Sequence, residues 1–367
     1  MIRSVGVLSA FLVFSCPASA GEQPQATETL YVNPETGSDT SNGTKEKPLK
    51  TIGEAANRVT KSTGMGSTTV VLSEGLHAID KTAVFKPLRK YTKDIRLVIR
   101  AETLPNDPEW NPARMPVLIS TMPLSKTWMN RPDPFDGVSY GIQIETSHVT
   151  IQGLRILGSP VHEHPKSGAV RRNYPIVREG RDLDDLLVTQ CLFLGDENAA
   201  PNHLPILANG HGIMLDHCVF YGCKMTVVYW TADRGRSTGC GMRNCLVHGA
   251  YGCGIWTMSP GEDFEFRNNV IADSLYGWII EGGNRPAYNV TKSLFSGNKH
   301  PTGTGAGPLL NFKVTDPGFL KFAEVTVTDE PVKIDRDQTK KNYLHLIPGT
   351  LGADLGAGLF YTKDKPN

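Results

Sequence analysis

A short phrase recurs through the middle of this chain and limits its fold more than any other feature. It reads Val188-Thr-Gln-Cys191-Leu-Phe, Leu215-Asp-His-Cys218-Val-Phe, Met242-Arg-Asn-Cys245-Leu-Val, Phe266-Arg-Asn-Asn269-Val-Ile and Val290-Thr-Lys-Ser293-Leu-Phe. The anchors Cys191, Cys218, Cys245, Asn269 and Ser293 stand 27, 27, 24 and 24 residues apart. A unit this short cannot bury its own apolar face, so copies must stack into a solenoid. The unit lacks helical periodicity and is rich in β-branched and aromatic residues broken by Gly and Asn. It therefore predicts short strands, and strands repeating at this length predict a parallel β-helix.

In such a helix, equivalent positions of successive coils lie one strand spacing apart, roughly 4.8 Å. The anchors are then expected to stack on one another at a tight corner, where small residues fit and Asn can hydrogen-bond along the stack. Cys191, Cys218 and Cys245 read as buried, weakly polar stack members. Zinc-like Cys-x-x-Cys spacing is absent. Cys223, Cys240 and Cys253 lie off the anchor, and pairing among the six cysteines is left open.

Residues 1–20 carry Arg3, an apolar stretch Val5–Phe14 and Ala18-Ser19-Ala20, the pattern of a cleaved secretory signal. A secreted or periplasmic protein is expected, cleaved near Ala20 and without a membrane span. With 38 Lys+Arg against 37 Asp+Glu there is no basic field of the kind that draws nucleic acid. Thr51 followed by Glu54 reads as a capping box opening a helix to about Lys61, which would cap the solenoid. Capped ends block edge pairing, so a monomer is expected. Further coils are expected at Thr68–Leu72, Gly75–His77, Ile95–Ala101, Met115–Ile119, Gly141–Ile144 and Val149–Ile156, with Gly153 at the anchor. The segment 27–320 is read as β-helix and 321–367 as a closing segment.

Several phrases resemble one family. Tyr31-Val32, Gly37-Ser38-Asp39, Gly43-Thr44, Pro48, Thr51-Ile52 and Ala55 are similar to the opening segment of secreted right-handed parallel β-helix proteins of the pectate-lyase-like superfamily. The anchored coils look like that group's repeats. Thr315-Asp316-Pro317-Gly318-Phe319 and the stretch from Leu344 to Ala357 resemble its closing segment. The resemblance implies an all-β, single-stranded right-handed parallel β-helix with an N-terminal capping helix. It also implies a polysaccharide partner, because the superfamily includes polysaccharide lyases and glycoside hydrolases; fold alone does not choose among them. Members that cleave uronic-acid polymers use Lys or Arg as base, often with calcium held by carboxylate or amide oxygens. The sequence identifies no cofactor of its own, and calcium enters only through this resemblance.

The repeat register supplies candidate side chains. Lys224, His248 and Tyr251 fall at related positions of adjacent coils. Arg243 belongs to a row with Asp216, Arg267 and Thr291, two before the anchor, that is expected to face outward. Lys224, Arg243, His248 and Tyr251 are the candidate catalytic groups of a lyase. Eleven positions after the anchor come Tyr229, Trp256 and Ile280, with Trp230, Trp278 and Glu281 beside them. Tyr229, Trp230, Trp256, Arg267, Trp278 and Glu281 are the candidate sugar-binding groups, although strand alternation must turn some of these aromatics inward. A hydrolase would need two carboxylates on one groove, and Glu281 with Asp263 or Glu265 is the best pair. A non-catalytic polysaccharide-binding solenoid is the remaining alternative. His162-Glu163-His164 and Asp182, Asp184 and Asp185 read as solvated loops, with metal binding the sharper alternative for each.

Overall fold

The computed structural model describes residues 27–121, 127–128, 131–132, 138–160, 172–233, 235–281, 288–303, 312–314, 344, 346 and 352–361. The expected signal segment, His162-Glu163-His164, Thr315–Phe319 and most of the closing segment lie outside them.

The chain is a parallel β-helix. Each coil contributes one short strand to each of three sheets, and neighbours within these sheets run parallel. One coil is Ile213–Asp216, Val219–Tyr221 and Val227–Tyr229; the next is Gly241–Arg243, Leu246–His248 and Cys253–Thr257. The first sheet runs from Glu28–Val32 to Phe312–Val314, the second from Gly75–Ile79 to Leu294–Ser296, and the third from Ala83–Phe85 to His300–Gly303. Alternate residues point in, so Ile151, Val188, Leu215, Met242, Phe266 and Val290 form one internal column of the core.

Between the first and second sheets the chain turns on a single left-handed residue. Gly153, Gln190, His217, Asn244, Asn268 and Lys292 all have φ between 44° and 77°. The next residue is the anchor, so Leu154 holds that position in the third coil and the expectation of Gly153 is corrected by one place. At Gly153 a β-carbon would stand 2.8 Å from the Leu104 side chain, which favours glycine in this αL turn.

The anchors stack as expected. The amide of Cys218 donates to Cys245 Sγ at 3.4 Å, that of Cys245 to Asn269 Oδ1 at 3.0 Å, and that of Asn269 to Ser293 Oγ at 3.1 Å. Asn269 Nδ2 also donates to the carbonyl of Met242 at 2.8 Å. Each of Cys191, Cys218, Cys223, Cys240, Cys245 and Cys253 is a buried free thiol. Burial pushes Cys240 up to about 11 and Cys253 up to about 12, so these groups remain neutral packing residues.

The helix spans Ile52–Lys61 and lays Ile52, Ala55, Ala56 and Val59 on the core. Thr51 Oγ1 accepts from the Glu54 amide at 3.1 Å. The reciprocal half of the box is supplied from elsewhere, because the Thr51 amide donates to Asp39 and Glu54 pairs with Arg58. A segment at 352–361 crosses the outside of the first corner. Its Gly358 carbonyl meets His217 Nδ1 at 2.9 Å and its Gly358 amide donates to Asn244 O at 2.9 Å. Leu359 and Ala357 join an apolar cluster on the outer face of the second sheet with Leu192, Val219, Leu246 and Val270.

Replacing Asn269 by Ala strands a buried amide and a buried carbonyl, which costs roughly 2–4 kcal/mol. The urea midpoint of the Asn269→Ala protein should fall accordingly. An unchanged midpoint would show that the ladder contributes nothing to stability.

Candidate functional site

Polar residues gather where the second sheet hands over to the third. After Leu192–Leu194 the chain makes a long loop, residues 195–205, before Ile206–Ala208. The end of that loop pairs with the following coil: the Lys224 amide donates to Asn202 O at 2.9 Å and the Met225 amide to His203 O at 3.1 Å. One coil back, the Leu204 amide donates to Asn173 O, beside Arg172; one coil forward, the Tyr251 amide donates to Cys223 O. Arg172, His203, Lys224 and Tyr251 therefore climb one corner on successive coils, spaced roughly 4.8 Å per step. This run is parallel to the solenoid axis.

Burial sets the chemistry of this corner. Lys224 is half-buried, and desolvation followed by the nearby Arg172 charge pulls its ammonium below the usual value, against Glu197. Burial holds the Tyr251 phenol well above its ordinary value, with Cys223, Glu197 and Asp196 adding to the effect. His203 is 6% exposed, and burial, then Lys224 and Arg172, lower it to about 3. Its ring meets Tyr174 edge-on at 5.8 Å. Its Nδ1 is buried without a hydrogen-bond partner among the described residues. The corner thus offers a lysine shifted toward its neutral form, a phenol that keeps its proton, and a neutral imidazole between two cations.

The outer face of the third sheet adjoins it. Tyr140, Met225, Trp230, Trp256 and Met258 are half-buried there around Tyr174, Val177, Leu207 and Val228. Trp256 Nε1 donates to Glu281 Oε2 at 3.0 Å, which fixes the indole. The register differs from expectation by one residue: Trp256 pairs with Val228 and Ile279, while Tyr229 pairs with Thr257. The cause is local. Lys224 O accepts from the amides of both Gly252 and Cys253, at 2.7 and 3.0 Å, so this corner absorbs an extra residue.

The predicted site residues divide accordingly. Lys224 and Tyr251 share the corner; Trp230, Trp256 and Glu281 belong to the adjoining third-sheet region. Tyr229 and Trp278 are corrected: both are 0% exposed. Tyr229 donates to Gly241 O at 2.6 Å and Trp278 to Thr257 Oγ1 at 2.9 Å, inside the core, where neither reaches a sugar. Arg243 and Arg267 do face outward, but on the first sheet, where Arg243 pairs with Asp216 and Glu265 and Arg267 with Glu265. That places them on a different face from Lys224, and Arg243 is not brought together with Lys224 and Tyr251. His248 lies on the outer face of the second sheet against Asp273 and Tyr221. Glu265, tied to those arginines, does not share a groove with Glu281, and Asp263 accepts from the Gly239 amide at 2.7 Å. Asp185 is committed to Arg96 and His148.

Sequence offsets do not reach Arg172, Glu197 and His203: Glu197 and His203 lie in the 195–205 loop, and Arg172 follows the long stretch of chain after Leu157, so none stands at a fixed distance from an anchor.

No family model and no curated protein matches the sequence. Among solved structures, the chain is similar to a GH136 lacto-N-biosidase from Eubacterium ramulus, at 11% identity, with 76% of this chain and 54% of that one covered and a TM-score of 0.49. It is also similar to a rhamnogalacturonan lyase (12% identity, 91% and 100% covered, TM-score 0.35) and to a PL6 family alginate lyase (9%, 92% and 60%, 0.32). The chain spans about half the length of the lacto-N-biosidase. The three parallel sheets themselves carry the fold assignment.

Folded His203 titrates near 3, against about 6.5 in an unfolded chain. As pH falls below 6.5 the unfolded form gains a proton that the folded form refuses, so stability is lost between those values. His77, His217 and His248 are lowered too and act in the same direction. The melting temperature should therefore drop from pH 6.5 toward pH 4, and His203→Gln should make that drop shallower. An identical pH profile in the variant would refute the burial argument.

Proposed function

We propose that this protein acts on an acidic polysaccharide as a lyase, at the corner formed by Arg172, His203, Lys224 and Tyr251. The observation that carries this reading is the pairing of a half-buried lysine shifted toward its neutral form with a phenol held protonated, one coil apart. β-Elimination needs a base and a proton donor to the leaving oxygen, and this pair can supply both. Lys224 Nζ takes the proton beside the uronate carboxylate, the electron pair forms a carbon–carbon double bond, and the bond to the leaving glycosidic oxygen breaks. Tyr251 supplies the proton to that oxygen. Arg172 lies on the same corner to face the substrate carboxylate, whose charge grows as the proton leaves. Trp230 and Trp256 provide flat apolar surface for sugar rings on the adjoining sheet. An exported protein meeting an extracellular polymer would fit this chemistry.

For the hydrolase alternative, the arginines that hold Glu265 on the first sheet count against Glu281 with Glu265 and leave Glu281 with Asp263 as its carboxylate pair. A non-catalytic binding solenoid is separated from the lyase by product chemistry. Incubation with pectate, alginate or a glycosaminoglycan should yield an unsaturated product whose carbon–carbon double bond, conjugated to the carboxylate, adds a new short-wavelength ultraviolet absorbance. Reducing ends without that absorbance would mean hydrolysis, and binding with neither would leave a binding protein.

Lys224→Ala and Tyr251→Phe should each lower turnover by roughly a hundredfold or more, while Arg243→Ala should leave it within a few-fold. Activity should rise with pH as Lys224 loses its proton and fall only where the raised Tyr251 begins to ionise. A rate that declines from neutral pH upward, or full activity in Lys224→Ala, would defeat the assignment.

A further inference from the structure

On the other side of the 195–205 loop, the outer face of the second sheet carries a cleft of about 240 Å³. Its lining is mainly apolar, from Leu157, Leu194, Ala200 and the backbone at Gly158 and Gly195, with Arg155 and Asp196 as its charged groups and Tyr221 as its aromatic wall. Tyr221 does not hold its position alone. Its ring stacks on His248, with centroids 4.9 Å apart and planes 17° from parallel. His248 Nε2 in turn lies 2.9 Å from Asp273 Oδ2. The carboxylate orients the imidazole, and the imidazole orients the phenol ring. Burial lowers the His248 pKa against the pull of Asp273, so the stack is chiefly a neutral one.

We propose that this cleft is a binding site for a single neutral pyranose ring, distinct from the Lys224 corner. A pre-oriented aromatic face accepts the C–H face of a sugar, and a carboxylate with a guanidinium at the rim can satisfy its hydroxyls. The cleft volume suits one ring rather than an extended oligosaccharide. With one carboxylate and one guanidinium, Asp196 and Arg155, the cleft has no net positive charge to draw a carboxylated ring, which separates this site from the cation-rich corner. His248 is a positioning residue here: it acts through Tyr221 and does not itself line the cleft. The sequence singled out His248 for catalysis, and this arrangement gives it a different task.

The test is titration of the full chain with methyl β-D-glucopyranoside, methyl β-D-galactopyranoside and a methyl galactopyranosiduronate, followed by calorimetry and by amide chemical shifts. At least one neutral glycoside should bind and perturb the amides of residues 194–200 and 221, more tightly than the uronate. Tyr221→Ala should weaken binding about tenfold, as loss of one stacked ring implies. Tyr221→Phe should retain it. His248→Asn should weaken it by a smaller factor, and Asp196→Asn provides a second probe should Tyr221→Ala fail to fold. Absence of binding by every neutral glycoside, or binding indifferent to both Tyr221→Ala and Asp196→Asn, would overturn the proposal. Lys224→Ala should leave this binding intact, so loss of lyase activity and loss of this site are read separately.

Discussion

The structure depends on a corner only one residue wide. At the turn between the first and second sheets the backbone takes one left-handed step, and the amide that follows points along the solenoid axis. Anchor side chains from the next coil meet that amide at Cys218, Cys245 and Asn269. A buried amide left unmatched would be expensive. Matching it keeps neighbouring coils in phase, and phase is what aligns side chains from distant parts of the sequence. The Lys224 corner and the Tyr221 cleft both inherit their geometry from this constraint.

The repeat made much of the architecture legible. Adjacent rungs at Cys218 and Cys245, the outward row Asp216–Arg243–Arg267 and the helix after Thr51 all follow from spacing and residue type. The site was less legible, for identifiable reasons. Strand alternation says that one of Tyr229 and Trp230 faces inward but not which, and Tyr229 went in. The bulge at Gly252 and Cys253 shifted Trp256 by one residue relative to simple counting. Arg243 faces outward as its row predicts, yet outward has three directions in a three-sheet solenoid. Equal offsets from an anchor show that residues share a column; they do not show that two columns share a groove. Arg172 and His203 sit beside insertions, where no offset applies.

The polar corner also illustrates how a β-helix can shift side-chain pKa values without a deep pocket. Lys224 and Arg172 are brought near each other by coil stacking, and the interior behind them is dry. Proximity of like charge and loss of water push Lys224 in the same direction, while the same dryness keeps His203 neutral and Tyr251 protonated. The expected consequence for the folded protein is a loss of stability in acid. Cores made of neutral thiols and aromatic stacks, such as Phe193 on Phe220 at 4.7 Å, offset it elsewhere in the molecule.

Residues 352–361 add long-distance closure to an otherwise local design. Stacked repeats normally touch only their neighbours, so such arrays tend to fray and unzip from an end. Here Tyr361 exchanges hydrogen bonds with Asn106 at 3.0 Å and meets Thr189 at 2.7 Å, while Gly358 grips His217 and Asn244. That strap crosses several turns at once, like a binding laid over the spine of a book. Opening one turn means lifting the strap from the others, which converts a string of loosely independent modules into a body that melts together.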